Sequence, residues 1–344
     1  MTITVLSGAR VALAAAAVAA PLVWGGAATA QETKIRIGYS TLLNTGLHLY
    51  VGEIAPELYA KHNIKLELKD MKANAANCIA AMLAKDVDMC SVSAPSGTFA
   101  VVEGAPLKAV AVVQGPVAEL YLSKKAVEKS GVSPKDKVEA RLKGLKGLDV
   151  VTSAPGTLYY NILEDMLRDV GLTIKDVRYR TLVDQTAMRE GLANGTFEGV
   201  LWSSGLFADL EATNAISSWI SVPAGDVPKL STVPTVTVFA TDAWLAANPT
   251  GAQRLHAAFV DVIAALKANP DKYRDAIKQK NFPDMNPVVW NGAYKHGVAA
   301  LWSTGKTTEK AWNDLVALQK ANNPGKDFAA AQWDKIVLPT AQAK

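Results

Sequence analysis

Leu148-Asp149-Val150-Val151-Thr152-Ser153-Ala154-Pro155-Gly156-Thr157-Leu158-Tyr159-Tyr160 changes its period in the middle. The β-branched run Val150 to Thr152 gives way to a small polar loop carrying Pro155 and Gly156. From Leu158, apolar residues recur at helical spacing through Ile162, Leu163, Met166, Leu167 and Val170, up to a stop at Gly171. The stretch therefore predicts a strand, a loop and the amino end of a helix. The N–H groups of a first helical turn lack internal partners, and aligned peptide dipoles make that end partly positive, so such a loop suits an anionic or strongly polar group. Ser153 and Thr157 add hydroxyls. Any α/β protein contains loops of this kind that bind nothing, so the loop alone assigns no ligand.

Working outward, Ile35-Arg36-Ile37-Gly38-Tyr39-Ser40 repeats the arrangement, with a polar turn over 41–46 and a helix from Leu47. Two such cradles facing each other make a cleft. Strands over 34–39, 64–68, 87–92 and 107–113 alternate with helices over 47–61, 77–85 and up to Glu103, which predicts a mostly parallel sheet with helices on both faces. A second run has strands over 120–122, 150–152, 177–181 and 199–202, with helices up to Val170 and over 185–193. Ala81 to Asp88 and Gly191 to Glu198 echo each other, each ending a helix and turning directly into a short strand. Beyond Trp219 come a Pro-rich passage over 222–234, a strand over 235–240, and helices over 242–247, 251–269, 271–279, 294–303 and 308–321. A chain that leaves its first sheet near Gln114 and returns near Thr235 forms two lobes. The crossings are placed at Gln114 to Val117 and Thr235 to Val238, and two crossings form a hinge.

Residues 1–30 read as an export leader. Arg10 is its only charge, Val11 to Ala20 is apolar, and Ala28-Thr29-Ala30 fits a cleavage site before Gln31. The apolar run is too short to span a bilayer. Cleavage after Ala30 removes one Arg and no acid, so the formal charge falls from +4 to +3, a mild excess with no nucleic-acid footprint. Cys78 and Cys90 sit at a helix start and a strand end, which meet at one sheet edge in a βαβ unit. A disulfide and two buried thiols both remain open on the sequence.

The order Ile35 to Tyr39, Gly52-Glu53, Tyr59 to Ile64, Leu66-Glu67-Leu68, Ala81 to Asp88, Glu103 to Val110, Leu142 to Gly147 and Leu192 to Gly199 resembles the periplasmic solute-binding proteins of nitrate/taurine/sulfonate-type ABC importers. The resemblance covers residues 34–240. It implies an α/β fold of the two-lobed, type II periplasmic binding protein kind: each lobe a mostly parallel sheet flanked by helices, with a helical C-terminal portion. The expected division is 1–30 leader, 34–117 and 238–344 lobe I, and 118–237 lobe II. The implied function is capture of a small molecule by hinge closure and its delivery to an ABC permease and ATPase on separate chains. The receptor is expected to be a periplasmic monomer with no cofactor or nucleic-acid partner.

Ligand contacts carried over from the resemblance are Thr41, Leu42, Asn44 and Thr45 after the first strand, Asn74 and Asn77 at the next helix, and Ser93, Ala94 and Ser96 after the third strand. In the second lobe they are Ser153, Gly156, Thr157, Tyr159, Gln185, Trp202 and Ser203, with Asp184 beside Gln185. Tyr159 and Tyr160 lie on different helical faces, so at most one of them is expected to line the cleft. The charges near these loops are Lys72 and Asp184, with His48 as a third candidate, and no arginine is among them. A dianion receptor usually supplies a bidentate Arg. The expected ligand is therefore a monoanion with an apolar or aromatic body against Tyr159, Trp202 and Phe207: an aromatic carboxylate or organosulfonate. The rival readings are a pyrimidine-precursor receptor or synthase-like enzyme of the same fold, and a periplasmic ligand sensor. Against an enzyme, His48, His62, His256 and His296 are scattered, and Ser303-x-x-Lys306 lacks the companion motifs of penicillin-binding enzymes.

Overall fold

The computed structural model describes residues 32–40 and 43–343. The leader, and Thr41 and Leu42 among the candidate contacts, lie outside the described residues. The first run is β1 (Thr33–Tyr39), α1 (Leu47–Ile54), α2 (Glu57–Ala60), β2 (Ile64–Asp70), α3 (Ala75–Leu83), β3 (Met89–Ser93), α4 (Ala94–Val102) and β4 (Leu107–Gln114). The single helix expected over 47–61 breaks at Ala55-Pro56, because proline lacks an N–H and disfavours helix in the residue before it. The second run is β5 (Ala118–Ser123), α5 (Lys124–Ser130), α6 (Val138–Lys143), β6 (Asp149–Thr152), α7 (Leu158–Asp169), β7 (Arg178–Thr181), α8 (Gln185–Asn194), β8 (Gly199–Ser203), α9 (Ala208–Ala212) and β9 (Ile216–Ser221). Then follow β10 (Val236–Thr241), α10 (Asp242–Ala247), α11 (Gly251–Ala268), α12 (Asp271–Asn281), α13 (Pro287–Ala300), α14 (Glu309–Asn322) and α15 (Trp333–Ile336).

The strands form two five-stranded sheets, β2-β1-β3-β10-β4 and β7-β6-β8-β5-β9. In each, four strands run parallel and one runs against them, and that one is the strand on which the chain arrives from the other sheet: β10 in the first, β5 in the second. The sheets therefore share one topology, in which β1, β2, β3, β4 and β10 correspond to β6, β7, β8, β9 and β5. The chain passes between sheets at 115–117 and at 222–235.

β4 is buried along almost its whole length, as its run Ala109-Val110-Ala111-Val112-Val113 requires. The segment after α13 lies along it: Trp302 N–H donates to Val113 O at 2.9 Å and Val112 N–H to Gly305 O at 2.9 Å. α14 packs on both α4 and α7, so the helical C-terminal portion touches both lobes. α13 begins at Pro287, seven residues before the expected start, with Asn286 capping the N–H of Val288 at 2.8 Å.

Cys78 and Cys90 are joined as a disulfide, with both residues fully buried. The bond ties the first turn of α3 to the central strand β3.

Candidate functional site

The carboxyl ends of the parallel strands of both sheets face a cleft of about 670 Å³. A crevice at that edge is where open α/β sheets hold ligands. Its floor carries four serines in corresponding pairs. Ser40 and Ser153 follow β1 and β6, and Ser93 and Ser203 end β3 and β8. Ser93 caps α4, accepting from the N–H of Ser96 at 3.3 Å, with the two hydroxyls 2.7 Å apart. Ser153 accepts from the Thr157 hydroxyl at 2.5 Å and from the N–H of Tyr160 at 3.3 Å.

Of the expected contacts in the first lobe, Asn44, Thr45, Asn74, Ser93 and Ser96 line the cleft. Asn77 and Ala94 do not. Asn77 uses its N–H on the Asn74 cap at 2.9 Å, and Ala94 is buried with its N–H donated to Thr235 O at 2.9 Å. In the second lobe Ser153, Gly156, Thr157, Tyr159, Gln185, Trp202 and Ser203 all line it. Gly156 has φ +80°, a left-handed turn residue before the helix. Tyr159 lies against Trp202, with ring centroids 4.7 Å apart and planes at 35°. Burial pushes the Tyr159 phenol up to about 12, so it is a neutral hydroxyl at ordinary pH. Tyr160 turns away, bonding Glu164 at 3.0 Å and meeting Tyr179 edge-on.

Asn44 and Ser203 have a second use. Asn44 is 1% exposed; its amide donates to Ser204 O at 3.0 Å and accepts from the Ser203 hydroxyl at 2.8 Å, while Gln114 donates to Asn44 O at 2.8 Å. This clasp joins the loop after β1 to the end of β8, across the lobes at the cleft floor.

Two side chains expected near the ligand belong to the core. Phe207 is buried edge-on against Tyr121, and His48 is fully buried against Phe259, with Nε2 3.2 Å from the Ser91 hydroxyl. Burial lowers the imidazole to about 3, which keeps it neutral. Lys72 pairs with Asp70 and Asp184 caps α8; neither lines the cleft. Among the described residues no Asp, Glu, Lys, Arg or His lines it, and no group of three His, Cys, Asp or Glu is placed to hold a metal ion. What faces the cleft is hydroxyls, amides and the starts of α3, α4, α7 and α8. The sequence reading missed Ser40, Thr235, Val236 and an apolar wall on α3 and α4. Ser40 had a signal in its correspondence to Ser153.

A family model described as NMT1/THI5 like matches residues 49–273. The chain belongs to the NMT1/THI5-like family. No curated protein matches it. Among solved structures, this NMT1/THI5-like chain is similar to a protein from Bordetella bronchiseptica RB50, with TM-score 0.70 and 19% identity over 89% of this chain and 94% of that one. It is similar to the alkanesulfonate-binding protein from Xanthomonas axonopodis pv. citri, solved with MOPS, at TM-score 0.66 and 16% identity over 91% and 100%. It is also similar to the periplasmic aliphatic sulphonate binding protein from Escherichia coli, at 0.61 and 16% over 76% and 83%. The fold is that of the two-lobed periplasmic binding proteins of the nitrate/taurine/sulfonate type, as the sequence resemblance implied.

Proposed function

We propose that this chain is the exported solute-binding component of an ABC importer and that it captures a small organic monoanion, an aromatic carboxylate or organosulfonate, between its lobes. The observation that carries the reading is a cleft built from corresponding strand-end serines of both sheets, faced on one side by Tyr159 and Trp202, with no ionisable side chain among the described residues but a neutral phenol. A monoanion finds donors at the helix starts without a fixed countercharge. A dianion would ask for an arginine that the cleft does not supply. Ligand bridging the lobes shifts the population toward a closed form. The crossings at 115–117 and 222–235 are the hinge; the second ends early in the expected Thr235 to Val238 because Val236 to Val238 already pair within β10, so lobe I runs over about 34–117 and 236–344 and lobe II over 118–235. The closed form is delivered to a permease and ATPase on other chains, and the receptor works as a periplasmic monomer after loss of residues 1–30.

A synthase of the same family is the rival. Among the described residues the four floor serines have no histidine or carboxylate beside them in the cleft to act as base, which favours binding over nucleophilic catalysis. The test is a thermal-shift panel of nitrate, alkyl and aryl sulfonates, benzoate and phthalate types, and pyrimidine precursors, run on the full-length gene product as processed by its host and stripped of ligand by unfolding and refolding. Ligand at about a thousand times its Kd stabilises by roughly 4 kcal/mol, several degrees for a chain of this size. A shift with aryl or alkyl monoanions is expected. A shift with nitrate or pyrimidine precursors alone removes the reading.

A further inference from the structure

Polarity in the first-lobe wall of the cleft changes along two helices. α3 and α4 start with polar residues, Asn74 before one and Ser93 and Ser96 at the other, and these share the cleft with the helix ends of the second lobe. Farther along, the cleft-lining side chains are Ala76, Ile79, Ala80 and Leu83 on α3, and Phe99 and Ala100 on α4. A surface helix normally turns its apolar stripe to the core. Here a second apolar stripe faces the cleft, and its alanines keep it low, making a trough rather than a ridge. Leu83 at its end is 45% exposed, and Val183, lining the same cleft from the other lobe, is 53% exposed. Only three large hydrophobic side chains are exposed among the described residues, and these are two of them. From Ala75 to Leu83 the trough runs about 12 Å at the rise of an α-helix.

We infer that the cleft carries a hydrocarbon subsite along α3 and α4, ending at Leu83 and Val183, so that the ligand is an amphipathic monoanion with an extended tail rather than a single ring or a compact ion. The anionic head sits at the helix starts and the tail lies outward along α3. Leu83 and Val183 are then the residues that read tail length. This inference rests on the receptor reading above and narrows its ligand class.

Calorimetric titration of the same processed, ligand-stripped protein with straight-chain monocarboxylates from propanoate to decanoate, beside benzoate, tests it. Affinity is expected to rise about fourfold per methylene, the equivalent of about 0.8 kcal/mol, until the tail reaches the lip, and then to level off. Leu83 is exposed, so Leu83→Gln leaves the fold intact. It should weaken decanoate about tenfold while leaving butanoate and benzoate within about twofold, and Val183→Gln should do the same. Affinity that is flat or falls with chain length while benzoate binds overturns the tail subsite and leaves the receptor reading standing. Equal weakening of every ligand by Leu83→Gln also overturns it, assigning the two side chains to contact between closing lobes instead. Binding of no carboxylate and no benzoate overturns the tail subsite, and the receptor reading falls with it if the sulfonates of the panel above also give no shift.

Discussion

The two lobes solve the same topology with different chemistry. Asn74 caps α3 and Asp184 caps α8, each accepting from the N–H three residues on, at 2.9 and 2.8 Å. Eleven residues after each cap stands a left-handed residue, Lys85 with φ +66° and Gly195 with φ +78°. Three residues later, Asp88 and Glu198 each donate an N–H to β1 or β6 and take one back through the carboxylate, all four bonds at 2.8 Å. Against that matched frame the interiors differ. Cys78, Cys90 and Gly38 in lobe I stand where lobe II has Met188, Val200 and Val151. Gly38 is required by the disulfide, since a Cβ there would lie 2.8 Å from Cys78 Sγ and 2.8 Å from Met71 Cε. Lobe I is cross-linked behind its cleft wall, whereas lobe II is held there by apolar packing. The cross-link sits one turn behind the polar start of α3, so it fixes the wall that faces the cleft.

The largest effect follows from removing that cross-link. Cys78→Ala with Cys90→Ala should cost about 3 kcal/mol, the value for a short closed loop, seen as a lower midpoint in urea. Gly38→Val with the disulfide intact should cost about 1–3 kcal/mol through overpacking. The triple change Gly38→Val, Cys78→Met, Cys90→Val copies lobe II, and it should be more stable than Gly38→Val combined with Cys78→Ala and Cys90→Ala, which lacks the cross-link as well but leaves its space unfilled. If it is less stable, the two lobes are not interchangeable at these positions and the comparison fails.

The Asn44 clasp should be next. Asn44→Ala strands the Ser203 hydroxyl and Ser204 carbonyl, at a cost of about 1–3 kcal/mol. Because the lost bonds run between lobes, small-angle scattering of the ligand-free variant should show a larger radius of gyration than the parent. An unchanged radius would mean that α13 and α14 alone set the opening.

The third difference is aromatic. Trp202 in β8 stands where β3 has Val92, so the ring that meets Tyr159 belongs to one lobe only. Trp202→Ala should weaken an aromatic ligand by about tenfold, in line with roughly 0.5–1.5 kcal/mol for an aromatic pair beyond its area. Unchanged affinity would remove the main support for an aromatic body. The matching Val92→Ala, buried behind lobe I, should leave affinity alone and lower stability.

Much of the frame was legible because it is local. Periodicity located nine of the ten strands, and the echo of Ala81 to Asp88 with Gly191 to Glu198 falls on corresponding helix-to-strand turns of the two sheets. The tenth strand, β9, was missed because Ile216-Ser217-Ser218-Trp219-Ile220-Ser221 does not alternate cleanly, and α5, α6 and α9 because seven residues or fewer give little period to read. Of the strand-end serines, Ser153 was legible as a polar residue after a β-branched run, Ser93 and Ser203 came only with the family resemblance, and Ser40 was missed. The α3 wall was not, since an apolar helical stripe looks alike whether it faces a core or a cleft. Asn44 shows the other limit: its partners are about 160 residues away, and no local pattern reports them.

The smallest effect concerns pH, and it too separates the lobes. Lobe II buries Glu119 in β5, bonded by Tyr121 at 2.9 Å and by Ser218, where β10 has Thr237. Burial, and then the charge of Glu119, raises the Glu211 carboxyl to about 7. A carboxyl raised on folding binds its proton more tightly in the native state. Its contribution is therefore present at low pH and is lost as pH rises from the ordinary carboxylate range through about 7. Glu211 is partly exposed, so solvent screening keeps the effect modest. Chemical denaturation between pH 5 and 8 should show stability falling with pH, and Glu211→Gln should flatten the slope and raise stability at pH 8. Ligand affinity over the same range should stay level, because the one titratable side chain among the described residues of the cleft, Tyr159, is pushed up to about 12. An affinity that follows the Glu211 titration would instead tie the buried acids of lobe II to closure.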